Sequence, residues 1–98
     1  MDNIEIKDIL IKIYNNEPLN IIDIRNNYEY QYGKIPTAKN INKYLLETTP
    51  EKYLDKNKIY YIYCQSGKTS NQLVNRLNKI GYNTVNIIGG YNNYLLRK

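Results

Sequence analysis

The segment at residues 64–70 carries the residues best suited to covalent chemistry. It reads Cys-Gln-Ser-Gly-Lys-Thr-Ser and lies between a β-rich run at 59–63 and a helical pattern that follows it. A thiol between a strand and a helix faces free backbone N–H groups and the positive end of the helix dipole. Both favour the thiolate, and such positions can lower a cysteine pKa from ~8.5 to about 3.5–7.5. The sequence therefore predicts that Cys64 is a nucleophile that needs no histidine base.

The rest of this loop is suited to an anion. Gly67 lets the chain curl so that its amides point inward as an anion-binding nest, and Lys68 adds positive charge. Hydroxyl donors stand at three further positions, Ser66, Thr69 and Ser70. The residues leave a second interpretation open, because free cysteines are among the most buried residues. In that case Cys64 only ends a core strand, Gly67 only makes a turn, and one of the last two hydroxyls only caps the next helix.

The absence of histidine excludes several kinds of site. The 98-residue chain has no histidine, so it has no Ser-His-Asp triad, no Cys-His dyad and no histidine metal ligand. Its single cysteine forms neither an internal disulfide nor a thiolate zinc cage. We therefore expect no metal and no cofactor, and chemistry that uses the thiol, carboxylates, lysines, tyrosines or the backbone.

Two phosphate-binding motifs are disfavoured by spacing. Gly67-Lys68-Thr69 resembles the end of a P-loop, but that motif would need a glycine five residues before Gly67, where the chain has Ile62. A cysteine phosphatase loop has an arginine six residues after the cysteine, to hold the phosphate through two hydrogen bonds. Here that position is Ser70, and Tyr63 replaces the histidine that precedes the phosphatase cysteine. A phosphate-ester enzyme is therefore disfavoured.

Charge and hydropathy limit the partners. The net charge is +5 and the isoelectric point is near 9.2, but the basic residues are scattered, with no run of five or six. Since nucleic-acid binding needs clustered positive charge, we expect no nucleic-acid partner. No apolar run approaches the roughly 18–20 residues that span a bilayer, and the first residues do not resemble a signal peptide. Together with a lone thiol, these features predict a cytoplasmic protein without a membrane partner.

Strand and helix patterns alternate along the chain. Apolar and β-branched runs predict strands near Ile4 and Ile6 and at 19–24, 38–41, 59–63 and 84–88. Helices are predicted from an Asp8 N-cap through Tyr14 and at 28–32, 44–46, 53–54, 73–80 and 91–95, with Gly81 as a C-cap. This alternation is typical of an α/β fold with a mainly parallel sheet and helices on both faces. The length and the absence of a linker predict a single domain, 1–98.

Three signatures stand in order between residues 19 and 95. The first is an apolar strand with Asp23 and Arg25, then Tyr-Glu-Tyr at 28–30 and Gly-Lys-Ile-Pro-Thr-Ala at 33–38. The second is the segment at 63–70. The third runs from Gly-Tyr at 81–82 through Val85 to Gly-Gly-Tyr at 89–91 and Tyr94. In this order and spacing they resemble the motifs of the rhodanese-like sulfurtransferase family, and the chain is similar to its single-domain members.

This resemblance implies both a fold and a reaction. The fold is a three-layer rhodanese-like one, with five mainly parallel strands in the order 1-5-4-2-3. In the reaction, Cys64 takes the outer sulfur of thiosulfate or a persulfide and passes it to a thiol, or to cyanide in an assay. The persulfide would be held by inward-pointing amides of Gln65, Ser66, Gly67, Lys68, Thr69 and Ser70. The family's loop for sulfur has six residues, as 64–69 does, whereas seven suit phosphate-sized substrates.

The chain departs from the family pattern at several positions. Lys34 replaces the usual histidine, Thr37 a glycine and Tyr94 a tryptophan. Gln65 and Thr69 stand where many members have arginine. Cationic side chains there would attract an anionic donor, so weak activity toward thiosulfate is expected.

The sequence leaves alternatives open at two further points. Asp23 and Arg25 either add positive potential beside the loop or form an ion pair that fixes the turn, and the ion pair is favoured. The alternative function is a rhodanese-like module without turnover, which binds a partner or carries sulfur delivered by another enzyme. Under both functions, a protein is a candidate sulfur donor or acceptor.

Overall fold

Five short strands form a central sheet, and helices cover both of its faces. The computed structural model describes residues 2–97. The strands are β1 (Asn3–Ile4), β2 (Ile21–Asp23), β3 (Lys39–Asn40), β4 (Ile59–Tyr63) and β5 (Asn83–Ile87). The helices are α1 (Ile6–Tyr14), α2 (Asn27–Tyr32), α3 (Lys43–Thr48), α4 (Lys68–Lys79) and α5 (Gly90–Arg97), with a 3-10 helix at Pro50–Lys52. No helix within this part of the chain is long and apolar enough to cross a membrane.

The sheet order confirms the predicted fold class. The order is β1-β5-β4-β2-β3, and every neighbouring pair is parallel. Asp23 at the end of β2 lies opposite Tyr63 at the end of β4, and Asn3 of β1 lies opposite Asn86 of β5. Because all the strands run the same way, the segments that follow them meet at one edge. That edge is where ligands bind in open α/β sheets.

Two apolar cores, one on each face of the sheet, explain why the strands are so apolar. Successive strand residues point to opposite faces, so a strand that is covered on both faces has no polar side. Ile22 and Ile62 pack with Leu73, Val74 and Leu77 of α4 in one core. The other core, on the opposite face, includes Ile9, Ile21, Ile35, Tyr63 and Ile87.

The predicted end of α4 is confirmed in detail. Gly81 follows the last helical turn with φ +100°, a left-handed conformation that glycine adopts without a Cβ clash. The N–H of Gly81 donates to the carbonyl of Asn78, and the N–H of Tyr82 donates to the carbonyl of Leu77. These two bonds define a Schellman motif, which satisfies carbonyls that the helix end leaves free.

The prediction for the first residues was wrong in two respects. Ile6 begins α1 rather than extending the opening strand, and the N-cap is Glu5, with Asp8 in the first turn. Ile6 and Ile9 are both buried. Three-residue spacing places them on the same face of a helix, so burial of both side chains favours the helix over an alternating strand.

The short helix predicted at residues 53–54 was also misplaced. A 3-10 helix lies instead at Pro50–Lys52, with the proline at its start. Proline suits that position because its φ is already helical and its missing N–H would have no partner there. Leu54 is buried just beyond the helix, so its apolar side chain marks the core rather than a helical turn.

Candidate active site

The sulfur of Cys64 lies directly after β4, at the carboxyl edge of the sheet. The residue is 8% exposed. Its Sγ accepts hydrogen bonds from the N–H of Gly67 at 3.1 Å and the N–H of Ser70 at 3.3 Å. Two backbone donors therefore converge on the sulfur from the loop and the first turn of α4, where free N–H groups and the helix dipole favour an anion.

The curl of the loop depends on Gly67. This residue precedes α4 with φ +89°, in the left-handed region. A Cβ there would lie 2.7 Å from the backbone nitrogen of Gly89, so a side chain does not fit. The N-cap position of α4 is thus Gly67, with no side-chain cap, rather than Thr69 or Ser70.

Hydrogen bonds to the sulfur lower the pKa of the Cys64 thiol below its ordinary value. Burial acts in the opposite direction, because it disfavours the charged form. The Ser70 hydroxyl and the backbone N–H groups of Ser70, Gly67 and Ser66 outweigh it. The result is a buried sulfur that is nonetheless biased toward the thiolate.

A buried ion pair borders the loop on the β2 side. The side chains of Asp23 and Arg25 are almost fully buried, and Nη2 of Arg25 lies 2.8 Å from Oδ2 of Asp23. Nε of Arg25 lies 3.1 Å from both carboxylate oxygens, and its backbone N–H also donates to Oδ1. The phenol of Tyr63 donates to Oδ2 at 2.6 Å. All of these donors are within hydrogen-bond distance, so both oxygens of the Asp23 carboxylate have hydrogen-bond partners despite their burial.

The protonation of this cluster follows from its geometry. Burial and the hydrogen bond to Asp23 raise the pKa of Tyr63, so the phenol stays protonated and donates. Burial lowers the pKa of Arg25, but the hydrogen bond and the charge of Asp23 outweigh it and raise that pKa above its ordinary value. Across the physiological pH range the guanidinium of Arg25 therefore keeps its charge and the phenol of Tyr63 keeps its proton.

Arg25 also connects β2 to the cysteine loop. Its Nη1 donates to Oε1 of Gln65 at 3.3 Å, and its Nη2 donates to the carbonyl of Gly33. Its guanidinium carbon lies 4.0 Å from the centroid of the Tyr91 ring, which is close enough for a cation–π contact. Both alternatives for this residue thus have a geometric basis: it forms the structural ion pair and also reaches the loop.

The start of α5 closes the site from the β5 side. The N–H of Tyr91 donates to the carbonyl of Cys64 and the N–H of Asn92 to the carbonyl of Gln65, each at 2.9 Å. The side chain of Gln65 also donates to Oδ1 of Asn92 at 2.6 Å. A Cβ at Gly90 would collide with the carbonyl oxygen of Cys64. The close approach of α5 to the loop therefore requires this glycine.

Asn86 is a second buried polar residue beside the loop. It is 4% exposed, and its Oδ1 accepts a hydrogen bond from the Ser70 hydroxyl at 2.6 Å. Sequence reasoning missed Asn86 and Asn92. Asn86 carried one visible signal, since it is a polar residue in the middle of an otherwise apolar strand pattern.

The loop residues divide into buried and exposed groups. Cys64, Gly67 and Ser70 are buried, and Gln65 is half-buried. Three residues are exposed: Ser66, Lys68 and Thr69. The structure thus brings all the predicted loop residues together with Asp23 and Arg25, but only some of them face the sulfur. The side chain of Lys34 is exposed, and its Nζ lies 4.4 Å from the centroid of the Tyr30 ring.

Comparisons with known proteins agree with this fold. The rhodanese-like domain family model matches residues 7–97. The "Putative sulfurtransferase YtwF" of Bacillus subtilis (strain 168) is 40% identical over 81 residues, which cover 81% of this chain and 76% of that protein.

Two solved structures are similar throughout. SSP1007 from Staphylococcus saprophyticus subsp. saprophyticus has a TM-score of 0.83 and 36% identity, over 92% of this chain and 89% of that one. A rhodanese-like domain protein from Staphylococcus aureus has a TM-score of 0.83 and 32% identity, over 96% and 91%. Together with the family match over nearly the whole chain, these similarities show that the chain belongs to the rhodanese-like domain family.

Proposed function

We propose that this protein is a sulfurtransferase in which Cys64 is the catalytic nucleophile. It moves a sulfane sulfur from thiosulfate or a persulfide to a thiol acceptor, through a persulfide on Cys64. The observation that carries this proposal is the convergence of two backbone N–H groups on Sγ at the end of β4. The family and the name of the Bacillus subtilis relative support the same reaction class.

Each step of this reaction exchanges one bond to sulfur for another. The Cys64 thiolate attacks the outer sulfur of the donor, and the donor bond breaks to release sulfite or a thiolate. An acceptor thiolate then attacks the outer sulfur of the Cys64 persulfide and releases the Cys64 thiolate, while the acceptor becomes a persulfide. Electrons balance within each exchange, so the proposed reaction needs no cofactor.

The loop is suited to this chemistry because its donors are fixed before the sulfur arrives. In the proposed persulfide, the N–H groups of residues 65–70 surround the negative charge, as preorganised donors do at an oxyanion. Lys68 contributes positive charge at the exposed rim. Asp23 and Arg25 support the site by fixing the β2 side, and Arg25 holds Gln65.

Mass spectrometry of the intact protein tests the nucleophile. After exposure to thiosulfate or a low-molecular-weight persulfide, one added sulfur atom is expected, and dithiothreitol should remove it. Cys64→Ser should gain none under the same conditions. If the variant carries the added sulfur as well, Cys64 is not the acceptor and the proposed mechanism is wrong.

A second function, sulfur carriage without thiosulfate turnover, is favoured by one observation. The guanidinium of Arg25 is engaged by Asp23, Gly33 and Gln65, so among the described loop residues only Lys68 offers a cationic side chain to an anionic donor. A carrier would accept sulfur from a partner protein's persulfide but show negligible thiosulfate:cyanide turnover. Robust turnover with thiosulfate would contradict this alternative.

The proposed reaction takes place within one domain and needs only small or protein partners. Both apolar cores share one sheet, which supports a single domain spanning residues 1–98. We place the reaction in the cytoplasm, where a reducing environment keeps the thiol available. The partners are a small sulfur donor or a donor protein and a thiol acceptor. Neither a nucleic acid nor a membrane takes part in it.

A further inference from the structure

A groove at the β3 edge of the sheet is lined by lysines and tyrosines. Its volume is about 460 Å³, and its lining comes from two parts of the chain, residues 19–41 and residues 52–60. None of its lining residues belongs to the cysteine loop at 64–70. Ligand pockets in proteins have volumes of about 300–1,000 Å³, so the groove is large enough for a small molecule.

The three lysines of this groove have no carboxylate partner within residues 2–97. Lys39, Lys52 and Lys58 line the groove, and all three are exposed. The ion pairs formed in this part of the chain use other cations: Lys7, Lys12, Arg25, Lys43 and Arg76. No acidic residue of the same range lines the groove. Like charges that share one groove repel one another, and an anion bound between them would remove that repulsion.

Two hydroxyl groups add hydrogen-bond donors to the lining. The phenol oxygen of Tyr60 accepts from the N–H of Asp55 at 2.8 Å, which leaves its own proton for another acceptor. Thr37 also lines the groove, with an exposed side chain. Its φ of +73° is strained for a β-branched residue, and strain of this kind is concentrated at ligand and active sites.

We propose that this groove binds a small molecule that carries two or more phosphate groups. Lysine ammonium groups bind phosphate oxygens as point charges, and several of them around one groove match a ligand with several negative charges. The hydroxyls of Thr37 and Tyr60 donate to the same oxygens. The ring of Tyr53, which also lines the groove and is 38% exposed, provides a face on which a planar group of the ligand stacks.

A titration followed by ¹H–¹⁵N NMR tests both the affinity and the place of binding. The probes are inorganic tripolyphosphate and ATP without a divalent cation, each in about 150 mM NaCl to screen weak surface attraction. Shift changes are expected at residues 19–22, 37–41 and 52–60. Binding of both probes supports recognition of phosphate groups, and binding of ATP alone supports a ligand that also has a planar ring. No binding of either probe, or shift changes confined to 64–70, would overturn the proposal.

Removal of the three lysine charges should weaken binding far more than removal of three charges elsewhere. With glutamine at Lys39, Lys52 and Lys58, the Kd of the bound probe should rise at least about tenfold. The control variant, with the same net charge, has glutamine in place of three exposed cations outside the groove: Lys34, Lys79 and Arg97. Its Kd should change less than about threefold. Equal weakening in both variants would show that the probe is attracted by net charge alone and would overturn the site.

Thr37→Gly separates binding from stability. Because glycine relieves the strain at φ +73°, a purely structural role for Thr37 predicts unchanged binding in a protein that is no less stable. The proposal predicts that the Kd rises about threefold, since a hydroxyl donor is lost. An unchanged Kd would overturn the contact assigned to Thr37.

The same NMR spectra show whether each variant is folded. If the triple lysine variant is not folded, the single substitutions Lys39→Gln, Lys52→Gln and Lys58→Gln repeat the test, and each should raise the Kd. No change in any of them would overturn the site. Because no sulfur donor is present, these measurements do not depend on the proposed sulfurtransferase reaction.

Discussion

Two connections at the carboxyl edge of the sheet keep their shape by different physical means. The loop at 64–70, after β4, depends on backbone N–H groups and a left-handed glycine. The connection at 23–38, after β2, depends on the buried pair of Asp23 and Arg25, with Tyr63 donating to the carboxylate. One connection thus uses neutral dipoles, and the other uses full charges.

The difference matches what each connection has to do. In the proposed reaction the charge on the sulfur appears and disappears, so neutral donors stabilise it without adding a permanent charge of their own. On the β2 side the charge is constant, and a buried ion pair with all its hydrogen bonds made gives a rigid frame. We therefore expect substitutions in the 23–38 connection to change mainly stability. Substitutions in the 64–70 loop should change the reactivity of Cys64, and those that strain the backbone should also lower stability.

The largest effect is expected for Arg25→Met. It leaves the fully buried carboxylate of Asp23 without its cation, and the free energy of unfolding should fall by about 3–5 kcal/mol. Equilibrium unfolding in urea measures the loss. Arg76→Met is the matched control, because that arginine is exposed where it pairs with Glu47, and its loss should cost less than about 1 kcal/mol.

A double variant covers the case in which Arg25→Met does not fold. Asp23→Leu combined with Arg25→Met removes both charges and should recover part of the lost stability. If Arg25→Met were no less stable than Arg76→Met but its Cys64 reacted more slowly, the comparison between the two connections would be wrong.

Gly67→Ala should have the next largest effect. The residue has φ +89°, and a Cβ would lie 2.7 Å from the backbone of Gly89, so the loop must shift. We expect a loss of about 1–3 kcal/mol in the free energy of unfolding and a severalfold slower alkylation of Cys64 at pH 7.

Gly81→Ala separates backbone strain from distortion of the loop. Gly81 also has a positive φ, +100°, but the nearest atom to its Cβ would be the end of the flexible Lys56 side chain, at 3.3 Å. This control should lose stability and keep normal alkylation of Cys64. Equal slowing in both variants would show that the loop geometry at Gly67 does not matter to the sulfur.

A smaller effect is expected in the pH dependence of stability. Because the folded pKa of Cys64 is lowered from 9.0, the folded state favours the thiolate. The thiolate's contribution to folding is complete above the unfolded pKa and is lost as the pH falls through the folded pKa. The stability difference between the wild type and Cys64→Ser should therefore grow from pH 5 to pH 9. A difference that stays constant or shrinks would mean that the loop donors do not stabilise the thiolate.

The smallest effect is expected for Thr37→Gly, in the β2 connection. Thr37 has φ +73°, which a β-branched residue adopts only under strain. Glycine relieves that strain but loses more entropy on folding, so a net gain of about 0.5 kcal/mol is expected in urea unfolding. Asn16→Gly is the control: Asn16 has φ +58°, and asparagine tolerates this region, so almost no gain is expected. Equal gains in both variants would mean that Thr37 is not specifically strained.

Much of the fold could be predicted from local patterns. The helical spacing of Leu73, Val74 and Leu77 and the glycine at 81 predicted the helix α4 and its end correctly, but the helix begins at Lys68, five residues before the predicted start. The prediction for the first residues was wrong because two local patterns, a strand and a helix, fit the same residues. Ile6 fits an alternating strand and a helix equally well, and only burial together with Ile9 decides between them.

The candidate site was predictable only along its own segment. Cys64, Gly67 and Ser70 are close in the chain, so the strand-loop-helix pattern predicted their convergence. The partners from elsewhere were not predictable in this way: Asn86 is 16 residues from Ser70, and Gln65 is 40 residues from Arg25. A polar residue in a strand faces the loop only in one register of strand pairing. That register depends on the neighbouring strands, so it cannot be read from one segment of the sequence.

The sequence by itself determined the position of Cys64 between a strand and a helix, the glycine that curls its loop and the alternation of strands and helices, because these depend on neighbouring residues and on backbone conformation. Only the tertiary structure decided the hydrogen-bond partners around the sulfur. The parallel sheet brings β2, β4 and β5 to one edge, so Arg25 reaches Gln65, and Asn86 reaches Ser70. A buried hydroxyl or guanidinium donates to an acceptor that lies within about 3 Å of it. Packing of the whole sheet decides which acceptor that is.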